Sequence, residues 1–138
     1  MRTFFYIGVA AILASSTALA ENWDVLKCTV SNFTNNSNEG TTDKNFVEAN
    51  MQKVFDIIES KQSFIVVGRS KEIKPYTTEF KLLKDGALGA FAMADSIVGL
   101  ETLTVSRSAG KNEPVTASIS LQSSDSINNW FLTCAKLN

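Results

Sequence analysis

The clearest alternation of apolar and polar positions runs over Val115–Gln122. Val115, Ala117, Ile119 and Leu121 fall on one side, and Thr116, Ser118, Ser120 and Gln122 on the other. Successive side chains of a strand point to opposite faces, and a strand wet on one side belongs to an antiparallel sheet. Residues 101–107 repeat the pattern, with Leu103 and Val105 inward and Thr102, Thr104 and Ser106 outward. Residues 64–69 read as a strand rich in β-branched side chains. Residues 76–84 alternate more loosely and lead into Asp85-Gly86. Asp-Gly between apolar runs predicts a two-residue hairpin whose turn positions take positive φ. On that register Lys84 faces Ala87, Leu82 faces Gly89 and Phe80 faces Phe91, which puts Phe80, Leu82, Phe91 and Met93 on one core face. Polar turns are expected at 94–99, 108–113 and 123–128.

Two stretches resist this period. Residues 32–45, rich in Asn, Ser, Thr and Gly, read as a long polar loop. Its Asn32 and Asn35 sequons are expected to carry no sugar behind a bacterial-style leader. In 46–60, Val47, Met51, Val54 and Ile58 recur at helical spacing, and Asn45 with Glu48 resembles a capping box. From Val54 onward β-branched residues favour a strand, with a turn at 59–62 leading into the next strand. The expectation is an irregular or briefly helical stretch to Gln52 and then strand; the alternative is one full helix over 46–60.

The ends of the chain tie these elements together. Asn22-Trp23 leads through apolar residues to Cys28, Asn129-Trp130 leads through apolar residues to Cys134, and the chain has only these 2 cysteines. Both stretches read as strands, and parity places Leu26, Cys28 and Val30 on one face, and Trp130, Leu132 and Cys134 on one face. Paired cysteines would join the first strand to the last. The predicted fold class is therefore mainly β: a single-domain antiparallel meander of seven or eight strands, closed or nearly closed into a barrel or sandwich, with at most one helix near 46–60. The alternative is α+β, with one full helix on an antiparallel sheet. Arg2, an apolar run over 4–14 and Ala18-Leu19-Ala20 predict a cleaved secretory signal peptide over 1–20, cut after Ala20, leaving 21–138 as one β-rich domain. The apolar run is too short for a permanent membrane span. Export to the periplasm or beyond would keep the Cys28–Cys134 pair oxidised.

Composition narrows the function by exclusion. The chain has 13 basic and 14 acidic residues, a balance that argues against nucleic acid or an anionic membrane as partner. It has no histidine, which excludes Ser-His-Asp triads and His-ligated metals, and paired cysteines supply no thiol chemistry. Ser108-Ala109-Gly110-Lys111 matches S-x-x-K, but that motif needs a helix to return its lysine to the serine and here falls in a turn. Asp56, Glu59 and Glu79 read as solvated carboxylates. No catalytic set, metal site or cofactor is expected, and a monomer is. Candidate binding residues are basic and aromatic. Arg69, Lys71 and Lys74 form one basic connector, and Arg107 with Lys111 another; in a meander the two could meet at one end and grip an anion or an acidic partner. Trp23 falls on the opposite parity from Cys28 and is the more exposed tryptophan; Trp130 reads as core. The expected function is a non-catalytic exported module that binds a protein or an envelope surface. The alternative is a carrier of a small apolar ligand in a lipocalin-like interior.

Overall fold

The computed structural model describes residues 24–40, 42–107, 110 and 112–137. The expected signal peptide, Trp23, Lys111 and most of the S-x-x-K motif lie outside the described residues. The elements are β1 (Val25–Ser37), α1 (Lys44–Met51), β2 (Val54–Glu59), β3 (Ser63–Arg69), β4 (Tyr76–Asp85), β5 (Gly89–Ser96), β6 (Gly99–Ser106), β7 (Val115–Gln122) and β8 (Ser126–Leu137). Each strand pairs antiparallel with the next, and β8 returns to β1, so the meander closes into a barrel. Closure leaves no exposed sheet edge between first and last strands. At the seam Cys28 lies opposite Cys134, and the two form a disulfide with Cα atoms 4.0 Å apart across 106 residues of chain.

The parity expected of β1, β6, β7 and β8 holds. Leu26, Cys28, Leu103, Val105, Val115, Ala117, Ile119, Trp130, Leu132 and Cys134 all point inward and are buried. The 46–60 stretch divides as expected, into a short helix and then strand. The helix cap is Asp43, whose side chain accepts from the Asn45 N–H, and the Asn45 capping box is not formed.

Two expectations are corrected. The Asp85-Gly86 hairpin is longer than two residues. Gly86 N–H donates to the Gly89 carbonyl at 3.1 Å, and neither Asp85 nor Gly86 has positive φ. β4 carries a bulge between Leu82 and Lys84, so Leu82 faces Ala92, Lys81 faces Met93 and Lys84 faces Phe91. Phe91 and Met93 thus point outward, and Ala90, Ala92 and Ala94 line the interior. The reason is volume: Phe55, Phe64, Phe80 and Trp130 are already inside, and a small barrel fits its cross-section by setting small residues against large ones. The second correction concerns the polar stretch after residue 31. β1 shifts register at Ser31 and continues to Ser37, paired with β8, and the shift lets Phe33 turn inward. The asparagines hold this extension by cross-strand hydrogen bonds, Asn35 Nδ2 to Asn128 Oδ1 at 2.6 Å and Asn129 Nδ2 to Thr34 Oγ1 at 3.2 Å. A purely apolar criterion for strands does not see such pairs.

One barrel end is sealed. Arg107 follows β6 on the inward parity of Val105 and hydrogen-bonds the Glu59 and Asp85 carboxylates, with its guanidinium carbon 5.9 Å from the centre of the Phe64 ring. These partners raise the Arg107 pKa further, Glu59 most of all.

Two stability experiments follow from this architecture. Replacing Cys28 and Cys134 by alanine should lower the urea midpoint, the unfolding free energy falling by up to about 4.7 kcal/mol for a closed loop of roughly 100 residues; an unchanged midpoint and slope would contradict the clasp. Arg107→Met should cost about 1–2 kcal/mol, above an exposed pair and below a fully buried one, measured in the same way.

Candidate functional site

The opposite end of the barrel is half open, and its shape begins with α1. The helix packs beside the upper part of β1, with the Phe46 ring against Phe33 at 5.7 Å between centroids and Phe33 against Trp130 at 5.4 Å. The one buried polar residue of the helix, Asn50, does two jobs. Its Nδ2 donates to the Phe46 carbonyl at 2.9 Å, and its Oδ1 accepts from the Trp130 indole Nε1 at 3.1 Å. The Trp130 ring is thereby held in one orientation as the wall of the mouth.

Four side chains ring that mouth, taken from alternate strands. Lys53 sits just before β2, Tyr76 opens β4, Glu101 lies on β6 and Trp130 on β8. In an eight-stranded cycle β2 and β6 are diametrically opposed, as are β4 and β8. The ring therefore reads cation, phenol, carboxylate, indole. Lys53 Nζ is 4.7 Å from the centre of the Trp130 ring and 5.9 Å from that of Tyr76. Gly68 makes this arrangement possible: a Cβ there would lie only 2.4 Å from Tyr76 Cζ, so the phenol folds across the bare backbone of β3. Deeper along their strands, Phe55, Phe80 and Ile119 floor a cavity of about 260 Å³.

Burial works against both charges. Desolvation lowers the Lys53 pKa, with the Glu101 carboxylate opposing. Desolvation raises that of Glu101, against the pull of the Ser96 hydroxyl and the Lys53 ammonium. Tyr76 is pushed up to about 12 by burial and then by Glu101, so it stays a hydrogen-bond donor. Among the described residues neither Lys53 nor Glu101 takes part in an ion pair.

The residues singled out from sequence are dispersed. Arg69 lies near the mouth but on the outer face, bound to Asp56 at 2.5 Å. Lys71 and Lys74 are exposed in the β3–β4 connector beside it. Arg107 is at the sealed end. The two basic connectors therefore do not meet, because the third and sixth connections of an up-and-down meander emerge at opposite ends. Asp56 and Glu59 point to opposite faces of β2 and do not converge. The outer surface has a larger groove of about 830 Å³ beside Ile65, Leu83 and Met93, but it is open and of mixed charge.

Lys53, Tyr76 and Glu101 were missed, although one was within reach. Glu101 has the same parity as Leu103 and Val105, and a carboxylate on the core side of a strand is itself a signal. Lys53 and Tyr76 precede or open their strands, where parity gives no warning.

Glu101 provides a test with a definite sign. A carboxylate whose pKa is raised on folding favours the folded state while protonated, and that stability is lost as pH rises through the folded pKa. As pH rises from the acid range Glu101 passes into the disfavoured charged form, so Glu101→Gln should raise the urea midpoint relative to the parent increasingly as pH rises, with the gain shrinking in the acid range. A lower midpoint at neutral pH would contradict a desolvated carboxylate in the mouth. With this geometry in place, comparison with known proteins adds no relative: no protein-family model, no curated protein and no solved structure matches the chain.

Proposed function

We propose that this protein is a non-catalytic binding module, exported to the periplasm or the medium, that engages a protein partner with the open end of its barrel. One observation carries the reading. The loops around the mouth present large apolar side chains to solvent: Ile97 is fully exposed, Val98 is 58% exposed and Ile73 is 47% exposed. Exposed apolar groups gathered at one place, rimmed by polar ones, mark interaction surfaces, and here Lys71, Lys74 and Asp95 supply the rim. Among the described residues Leu83, Leu88 and Leu137 are exposed at the sealed end too, but there Arg107 is engaged by two carboxylates, whereas the apolar loops of the open end surround a cavity lined by Lys53 and Glu101. Support for export comes from the disulfide and from the leader-like residues 1–20. No helix among the described residues is long and apolar enough to cross a membrane.

The carrier reading is weaker on packing grounds. Phe55, Phe64, Phe80 and Leu103 are buried in the lumen, and the cavity that remains, about 260 Å³, is too small for a lipid-sized cargo, for which pockets of roughly 300–1,000 Å³ are usual.

The test is affinity capture from periplasm and envelope with the mature chain and two variants. A protein partner held by the parent and by Leu88→Ser, but lost with Ile73→Ser/Ile97→Ser, is the expected result. Equal retention by both variants would remove the open end as the docking surface, and recovery of lipid without protein would favour the carrier.

A further inference from the structure

The pair of charges in the mouth raises a question that protein docking does not answer. Lys53 and Glu101 face the same cavity from opposite walls, both half-buried and neither ion-paired. They act on each other without forming a direct ion pair: the ammonium lies over two aromatic rings, and the carboxylate has the Ser96 hydroxyl beside it. Both line the cavity.

We propose that the barrel mouth is a binding site for a small apolar zwitterion, a free α-amino acid with a branched or aromatic side chain. Lys53 takes the carboxylate and Glu101 the ammonium. The side chain points down onto Phe55, Phe80 and Ile119. The Tyr76 hydroxyl gives the carboxylate a second donor. Each polar contact would be a charge-assisted hydrogen bond in a partly desolvated setting, the stronger kind. A simple anion would meet Glu101 as a like charge, and a simple cation would meet Lys53; only a ligand bearing both satisfies both walls. The cavity of about 260 Å³ accommodates one residue and excludes longer peptides or lipids. This inference stands independently of the proposed docking of a protein at the rim.

The experiment is a two-dimensional proton–nitrogen NMR titration of the mature protein with L-phenylalanine and L-leucine. Two control ligands each lack one charge: 3-phenylpropionate and phenethylamine. The expected result is a saturable shift of the Trp130 indole N–H and of amides around Lys53 and Glu101 with the amino acids. Either control ligand should bind more weakly by roughly tenfold or more, the worth of one charge-assisted hydrogen bond. Lys53→Met and Glu101→Gln should each lose a similar factor, and both relieve a desolvated charge, so folding is retained and visible in the same spectra. Gly68→Ala, whose new Cβ displaces the Tyr76 ring, should weaken binding while leaving the strand pairing intact. Ile97→Ser, which alters the rim and not the cavity, should leave amino-acid binding unchanged, so failure of the docking reading is distinguishable from failure here. No saturable shift with either amino acid, or equal binding of 3-phenylpropionate, would overturn the assignment.

Discussion

The barrel depends on the pairing of its first and last strands. Seven of the eight pairings join neighbours along the chain and cost little loop-closure entropy. The eighth, β1 with β8, must bring together residues from opposite ends of the domain, 106 positions apart at the disulfide. Without it the meander would be an open sheet with two hydrogen-bonding edges and one face of Phe, Leu, Ile and Val in water. The disulfide sits on this pairing, where a covalent link removes the most freedom from the unfolded chain. It lies nearer the sealed end than the open one, on the side where Arg107, Glu59 and Asp85 also converge.

That rigidity divides the molecule into two unlike ends. At the sealed end each charged group of the Arg107 cluster has a partner of opposite sign. At the open end one polar contact, Asn50 to Trp130, fixes the indole, while Lys53 and Glu101 are left without ion pairs. Desolvated charges that lack an ion-pair partner cost stability, and a scaffold clasped and plugged elsewhere can tolerate them. The asymmetry is the physical basis for proposing a binding role for the mouth.

The exposed Ile73, Ile97 and Val98 belong to the same end, and the topology explains why. In an up-and-down barrel every second connection emerges on the same side, so the β3–β4 and β5–β6 loops are near each other although 24 residues separate Ile73 from Ile97. The β6–β7 connection emerges at the far end, which is why Arg69 and Arg107 never form one basic patch.

Much of the fold was written in the local pattern. Alternation in β6, β7 and β8 placed the correct residues inside, and the two cysteines on inward parity foretold the seam, because side-chain direction in a strand has period two whatever the rest of the chain does. Local pattern failed where a single residue changes that period. The bulges at Ser31 and near Leu83 each flip all that follows, and they turned Phe91 and Met93 outward and Phe33 inward. Whether a strand inserts such a residue depends on how much volume the facing strands already supply, which no short window contains. The mouth has the same origin. Lys53, Tyr76, Glu101 and Trp130 are scattered over 78 residues and carry no motif; only closing the sheet into eight strands sets the cation and the carboxylate on opposite walls of one cavity.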